Sequence, residues 1–298
     1  SFVADPSRID RAREKTKNIG IGLYDLDYIS QPYFSTIVKG VGKVVETYNY
    51  NLQLSTTAPH QTGKANGKFY RKMVDEKRID GFVIIDHHLE DRELLRLKKK
   101  GVPFVLIDRY IPGVKANSIL MDGTGGFYQV TEYLLNLGHK KIGVVLGGKY
   151  LLVDKDRLEG YILALKKYNL GYDKKLIVEF FHPREEGRQR RMIEDLLKTT
   201  SPPTAIIVSS DVMALEVVNI VKNRGFKIPD DISILIFGST LINVSMEPPM
   251  TSLEMPLEKI GKLAGEMLLK LINKDVVKDN EIIVKPKLVI RKSCREGR

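Results

Sequence analysis

The hydrophobic positions of this chain follow two different spacings. Short continuous apolar runs, such as 81–85 (GFVII) and 232–237 (ISILIF), have the length and composition of fully buried strands. Between such runs, apolar residues recur every three or four positions, as in 33–48 and 257–273, which is typical of amphipathic helices. This alternation predicts an α/β fold with doubly wound parallel sheets that helices cover on both faces.

The alternation extends along nearly the whole chain. Predicted strands cover 19–23, 52–56, 81–85, 102–107, 118–121, 141–146, 176–180, 205–208 and 232–237, with one or two more within 282–290. Predicted helices cover 33–48, 67–76, 92–100, 122–137, 157–169, 187–198, 213–224 and 257–273. Domains of this type average roughly 150 residues, so the 298 residues predict two similar lobes.

Polar residues gather where the predicted strands end. The segment 202–256 contains two consecutive strand–helix steps, and its strands finish at Ser209-Ser210-Asp211 and at Gly238-Ser239. The carboxyl ends of parallel strands form the edge of the sheet at which ligands bind. We therefore expect a ligand site at this edge.

Composition narrows the class of protein. Hydrophobic residues at 43% and charged residues at 29% are ordinary for a globular protein. No apolar run approaches the roughly 20 residues of a membrane span, and the N-terminus lacks the apolar core of a signal peptide. The single cysteine, Cys294, excludes a disulfide framework. These features predict a cytoplasmic protein.

The net charge of +11 has two interpretations. It is compatible with binding to nucleic-acid phosphates. The basic residues are nevertheless dispersed over separate segments, which is typical of a solvated surface. Charge alone therefore does not indicate a DNA-binding protein.

Several ordered segments resemble the lac/galactose-repressor (LacI/GalR) family of bacterial transcription regulators. In 202–256 the motifs PPTA, a D-x-x-A-L helix start, G-x-x-I-P-D-D-I-S and P-P-x-T-S follow one another as in that family. Further matching segments are 78–84 (RIDGFVI), 100–109 (KGVPFVLIDR), 137–142 (LGHKKI), 156–161 (DRLEGY) and 286–293 (PKLVIRKS). The resemblance covers residues 17–293, nearly the whole chain.

The resemblance implies a periplasmic-binding-protein-like fold of two lobes, each with a six-stranded sheet, joined by three crossovers. The implied crossovers lie near 119–122, 251–256 and 276–282. The expected parts are a residual hinge or linker over 1–18, an N-terminal lobe over 19–120 plus 254–279, and a C-terminal lobe over 121–253 plus 280–298.

Full-length members of this family begin with a helix-turn-helix. We therefore expect this chain to be a regulatory fragment without that segment. Residues 8–17 (RIDRAREKTK) would be the end of the hinge, or alternatively a charged linker helix without function.

The candidate effector-binding residues follow strand ends in both lobes or begin the first helix. They are Tyr24, Tyr33, Phe34, Asp86, Asp108 and Arg109 in the first lobe, and Arg157, Ser210, Asp211, Phe237 and Gly238 in the second. Further candidates near strand ends are Asp25, His87, 147–149, Asp154 and Ser239.

Arg157 is the strongest of these candidates, because the family places an effector-gripping arginine at the matching position. A guanidinium group suits bidentate bonds to hydroxyls or carboxylates. Asp211 could bind the effector or could cap the helix that begins at residue 212. Asp108 and Arg109 could instead pair with each other at the strand end.

One departure from the family bears on the effector. Where sugar-responsive members carry an aspartate after Phe237, this chain has Gly238-Ser239. The loss of that hydroxyl-binding carboxylate makes a usual hexose less secure as the effector. An anionic or purine-like ligand stays open, and the expected effector is a sugar, a phosphosugar or a nucleobase-like compound.

No other constellation predicts chemistry. Asp86-His87-His88 could suggest a metal or phosphoesterase site, but adjacent strand residues point to opposite faces. Gly123-Thr124-Gly125-Gly126 lacks the G-K-S/T of a phosphate-binding loop and favours close helix–sheet packing. We expect no catalytic residue, no metal and no cofactor.

The sequence thus favours the effector-binding and dimerisation domain of a transcription regulator. Its implied partners are a small-molecule effector, a second copy of the chain and operator DNA. The alternative is a periplasmic sugar-binding protein of a transporter. An enzyme is disfavoured.

Overall fold

The structure, a computed structural model, describes residues 15–56, 67–147, 152–179, 187–238 and 241–297. The expected linker over 8–17 therefore lies almost entirely outside the described residues, as do the candidate positions 148–149 and Ser239. The described chain forms two six-stranded sheets with helices packed against them.

Strands and helices alternate as the hydrophobic spacing predicts. The strands are β1 (Asn18–Leu23), β2 (Asn51–Thr56), β3 (Gly81–Ile84), β4 (Phe104–Ile107), β5 (Ser118–Met121), β6 (Ile142–Leu146), β7 (Ile177–Glu179), β8 (Ala205–Val208), β9 (Ser233–Phe237), β10 (Thr251–Glu254), β11 (Glu281–Val284) and β12 (Lys287–Val289). The helices are α1 (Pro32–Thr47), α2 (Lys68–Asp75), α3 (Asp91–Lys99), α4 (Gly123–Asn136), α5 (Leu152–Lys167), α6 (Arg188–Leu197), α7 (Asp211–Asn223), α8 (Leu241–Ser245) and α9 (Leu257–Asn273).

The first sheet has the strand order β11-β5-β4-β3-β1-β2, with every pair parallel. The second has the order β12-β10-β9-β8-β6-β7 and is parallel except for its edge strand β12, which runs antiparallel to β10. Strands β3, β4, β6, β8 and β9 are buried along their whole length. This burial explains why they appear in the sequence as unbroken apolar runs. The predicted fold class, two doubly wound parallel-sheet lobes, is confirmed.

The third crossing of the chain lies later than expected. Helix α9 packs on strands of the first sheet, and β11 then pairs with β5 in that same sheet. Residues 281–284 therefore belong to the first lobe and not, as expected, to the second. The crossing follows at Lys285-Pro286, where the missing N–H of proline interrupts strand pairing.

Glycines allow two pairs of helices to approach closely. A side chain at Gly40 or Gly261 would overlap backbone atoms of the partner helix where α1 crosses α9. A side chain at Gly160 of α5 would likewise overlap Thr124 O of α4, so this glycine faces that helix. Gly126 does lie against the sheet, close to Leu253 of β10.

Three helices begin at the carboxyl ends of the strands, next to the gap between the lobes. Residues near the starts of α1, α5 and α7 all line a cavity there. None of the described helices is both long enough and apolar enough to span a bilayer.

Candidate functional site: the cavity between the lobes

A cavity of about 180 Å³ lies between the two lobes. Its first-lobe wall comes from the start of α1 and from the ends of β3, β4 and β5. The second-lobe wall comes from α5, β8, the start of α7 and the end of β9. The lining residues are Gln31, Pro32, Tyr33, Phe34, His87, Asp108, Met121, Val153, Arg157, Ser209, Ser210, Asp211, Val212, Phe237, Gly238, Met255 and Leu257.

Arg157, on α5, is the central charged group of this cavity. Its Nη1 donates a hydrogen bond of 2.8 Å to Asp154 Oδ1, and its Nη2 lies 3.6 Å from Asp108 Oδ2 across the gap. Its guanidinium carbon lies 4.6 Å from the ring centroid of Phe237, a cation–π distance. Burial alone would lower the pKa of Arg157, but the two carboxylates outweigh burial and raise it. The guanidinium therefore stays charged and is held in place by both lobes.

Asp108 supplies the first-lobe end of this ion pair. It follows β4 with a φ of 51°, a left-handed conformation that aspartate tolerates better than most residues. Its side chain is 5% exposed and accepts a long hydrogen bond of 3.4 Å from the Met121 N–H. Burial raises the pKa of Asp108, against the opposing influence of Arg157. Strained backbone and buried charge often coincide at functional sites.

Three polar atoms in the cavity wall are buried without a hydrogen-bond partner within the described part of the chain. They are Tyr33 Oη, Arg157 Nε and Ser209 Oγ. Burial raises the pKa of the Tyr33 hydroxyl well above its usual range, so this group is neutral and can donate as well as accept. Buried polar groups are normally paired. These atoms therefore offer complementary positions to a polar ligand.

The Asp211 carboxylate packs on Gly238. A side chain built at Gly238 would overlap the carboxylate oxygens of Asp211. The space that a side chain after β9 would fill is thus taken by a carboxylate from the first turn of α7. The wall keeps an acidic group here although residue 238 has no side chain.

A comparison with known protein families identifies the family of this chain. Residues 131–294, more than half of the chain, match the periplasmic binding protein-like domain family. The chain belongs to this family. The relatives and similar structures place it more narrowly among the LacI/GalR regulators, as the sequence motifs predict.

The chain is similar to several transcription regulators. It is 29% identical over 293 residues to the HTH-type transcriptional repressor PurR of Aliivibrio salmonicida (strain LFI1238), covering 98% of this chain and 86% of that repressor. It is 27% identical over 267 residues to the HTH-type transcriptional repressor CytR of Escherichia coli (strain K12), covering 90% of this chain and 77% of that one. Its fold is similar to the crystal structure of the transcription regulator CcpA of Lactococcus lactis, with a TM-score of 0.83, 26% identity, and coverage of 93% and 99%. These relatives are regulators, which supports the regulator interpretation over the transporter alternative.

In this LacI/GalR-family chain, most of the sequence-predicted site residues line the one cavity. Those in its wall are Tyr33, Phe34, Asp108, Arg157, Ser210, Asp211, Phe237 and Gly238. Asp154 lies directly behind Arg157. The elements that carry these residues are remote in sequence and meet only where strand ends converge.

Tyr24, Asp86 and Arg109 do not line the cavity, contrary to expectation. The Asp86 carboxylate accepts the N–H groups of His88 and Leu89 and shapes the loop after β3. Arg109 is buried and donates to Asp86 O at 2.7 Å and to Asp91 Oδ1 at 2.6 Å. Tyr24 packs against the rings of Tyr28 and His88. These side chains support the neighbouring loops.

The structure also bears on two alternatives that the sequence left open. Asp108 faces Arg157 and Arg109 faces Asp91, so Asp108 and Arg109 do not pair with each other. Asp211 is the first residue of α7, and the preceding Ser210 is the N-cap residue. The carboxylate of Asp211 still lies in the first turn, where it complements the helix dipole.

Of the two adjacent histidines after β3, His87, a candidate from its strand-end position, lines the cavity, whereas the exposed His88 packs against the ring of Tyr24. Burial, with Arg109 adding to it, lowers the pKa of His87 to about 3, so its imidazole is neutral. The sequence interpretation missed the wall residues Met121 and Met255, which had no signal beyond their position at the ends of strands, and it named Ser209 only as part of a polar strand end. Within the described residues, no group of His, Cys, Asp or Glu side chains is arranged to hold a metal ion.

Proposed function

We propose that this chain is the effector-binding and dimerisation part of a transcriptional repressor and that it senses a small molecule in the cavity between its lobes. Its relatives are transcriptional repressors. The single observation that supports the position of the site is the set of buried, unpartnered polar atoms, Tyr33 Oη, Arg157 Nε and Ser209 Oγ, which converge on one cavity from both lobes.

The contacts across the gap suggest how binding would be transmitted. The lobes are joined by the Asp108–Arg157 ion pair and by the hydrogen bond of 3.3 Å from Tyr110 Oη to Asp156 Oδ1. A ligand bound to Arg157 beside Asp108 strengthens or weakens this ion pair. It thereby favours one lobe arrangement over another, which is the differential affinity that allostery requires.

The effector-binding residues in this proposal are those of the cavity wall described above, with Arg157 at the centre. The proposed partners are a second copy of the chain and operator DNA, as for a repressor that acts in the cytoplasm. Coupling between effector and DNA is typically about 1–3 kcal/mol in such systems. A change in lobe arrangement would reach the DNA through the paired subunits.

A thermal-shift screen with sugars, phosphosugars, nucleobases, nucleosides and organic acids tests the proposal. A binder should raise the Tm of the wild type, and Ser209→Ala should weaken the affinity for it by about fivefold to tenfold, the equivalent of about one hydrogen bond. Ser201→Ala, at an exposed serine outside the cavity, is the matched control. Equal affinity in Ser209→Ala and the wild type would place the site elsewhere.

A further inference from the structure

The positive features that face the cavity are few. Arg157 is the one lysine or arginine among the lining residues that the structure describes. Besides this guanidinium, the starts of helices α1, α5 and α7 carry partial positive charge. An anionic effector would need at least one of these features to be available.

The charge of Arg157 is already compensated. Asp154, 1% exposed, holds one end of the guanidinium, and Asp108, 5% exposed, faces the other. The ring of Phe237 covers its face. Its Nε–H is buried without a partner, and its Nη2 faces Asp108 at 3.6 Å, longer than a hydrogen bond. A bidentate grip on a phosphate or carboxylate through Nε and Nη2 would compete with the ion pair to Asp108.

Two of the three helix starts are compensated by carboxylates. Asp154 lies in the first turn of α5, and Asp211 lies in the first turn of α7. Helix α1 has no acidic residue there, and it begins with Pro32, which has no N–H to donate. At α5 and α7 the protein's own carboxylates therefore occupy the places in which an anion would be stabilised, and at α1 one N–H donor is missing.

Among the described residues, the remaining charge of the wall is negative. Asp108 and Asp211 line the cavity, and Asp154 lies behind it. Arg157 is the one described cationic side chain in the wall, and the neutral His87 adds no positive charge. Asp211 reaches this position because Gly238 leaves room for its carboxylate. A second anion in this buried space would be desolvated without a counter-charge, which is strongly unfavourable.

We propose that the effector carries no negative charge and presents a hydrogen-bond donor to Asp211, while an acceptor on it pairs with Arg157 Nε. This inference rests on the proposed function and narrows it. A cavity of about 180 Å³ limits the effector to a small molecule. Unphosphorylated sugars, amino sugars and uncharged nucleobases or nucleosides fit these conditions, whereas phosphosugars, nucleotides and sugar acids do not.

Matched compounds that differ in charge test this inference by isothermal titration calorimetry on the whole chain. Suitable sets are glucose, glucosamine, glucose 6-phosphate and gluconate, together with ribose and ribose 5-phosphate, and adenosine and adenosine monophosphate. In any set that binds, the uncharged or cationic member should bind at least tenfold more tightly than its anionic counterpart.

Asp211→Asn should reduce this discrimination at least threefold, because the variant removes the negative charge and keeps the shape. Glu216→Gln, on the same helix but exposed, should leave it unchanged. Tighter binding of an anionic member, or equal discrimination in Asp211→Asn, would overturn the inference and leave the proposed function intact. If neither this panel nor the wider screen yields a binder, the proposed function fails and the inference fails with it.

Discussion

Replacing Arg157 with methionine removes the charge between the lobes and keeps most of the side-chain volume. Asp154 then loses its hydrogen bond of 2.8 Å while its side chain is 1% exposed. Breaking a buried ion pair from one side costs about 3–5 kcal/mol. Asp108 adds less, because its distance to Arg157 is 3.6 Å and burial already raises its pKa toward protonation. We therefore expect Arg157→Met to lower the free energy of unfolding by about 3–4 kcal/mol.

Chemical denaturation and thermal unfolding measure this loss. For a chain of this size the Tm should fall by about 5–6 °C. The double variant Arg157→Met/Asp154→Asn should recover at least about 1.5 kcal/mol of the free energy of unfolding, because residue 154 then carries no negative charge. Arg190→Met is the control, since Arg190 is 54% exposed and its pair with Glu194 contributes under about 1 kcal/mol. A loss in Arg157→Met no larger than in the control, or no recovery in the double variant, would refute the reasoning.

Three further outcomes are expected. Gly261→Ala should lower the free energy of unfolding by about 2–3 kcal/mol in chemical denaturation, because the new Cβ would overlap Ile37 O. Gly171→Ala, which has open space around it, should not destabilise the protein. Equal effects of the two variants would contradict the close crossing of α1 and α9. Because the pKa of His87 falls to about 3 in the folded state, the unfolded chain binds more protons below about pH 6.5, and stability is lost as the pH falls. Thermal unfolding of the wild type at pH 7 and at pH 5 measures this loss of stability, and His87→Gln should make the loss smaller by about 2 kcal/mol. His88→Gln should leave the loss unchanged. An unchanged pH profile of stability in His87→Gln would contradict the lowered pKa of His87. Sedimentation should give about twice the 33.8 kDa mass of one chain, and a monomer at all concentrations would contradict the proposed dimer.

Much of the fold could be predicted because local spacing and packing agree. The apolar runs of β3, β8 and β9 are buried along their whole length, and runs of this length and composition are typical of buried parallel strands. The start of α5 was predicted at residue 157 but lies at Leu152, because its first turn faces the cavity and carries no apolar stripe. The segment 282–290 appears as one apolar stretch, yet its halves join different sheets. Spacing alone cannot assign a short edge strand to a lobe.

The sequence could predict where the cavity lies but not which charged side chains pair with each other there. The positions of the predicted strand ends placed Asp108, Arg157 and Asp211 at one site, and the structure brings these residues together. The sequence could not show that Asp108 turns toward the other lobe, because this depends on its left-handed φ of 51°. Nor could it show that Arg109 turns away to Asp91. The absence of a carboxylate after Phe237 suggested a less acidic pocket, whereas Gly238 makes room for Asp211.

Hydrogen–deuterium exchange with and without a compound from the screen tests the central claim most directly. Peptides from the starts of α1 and α7 carry Tyr33 and Ser209 to Val212, which lie on opposite walls. If the small molecule binds between the lobes, both peptides should be protected together at saturating ligand. Protection of one wall alone, or of a region outside the cavity such as 110–116, would contradict the account.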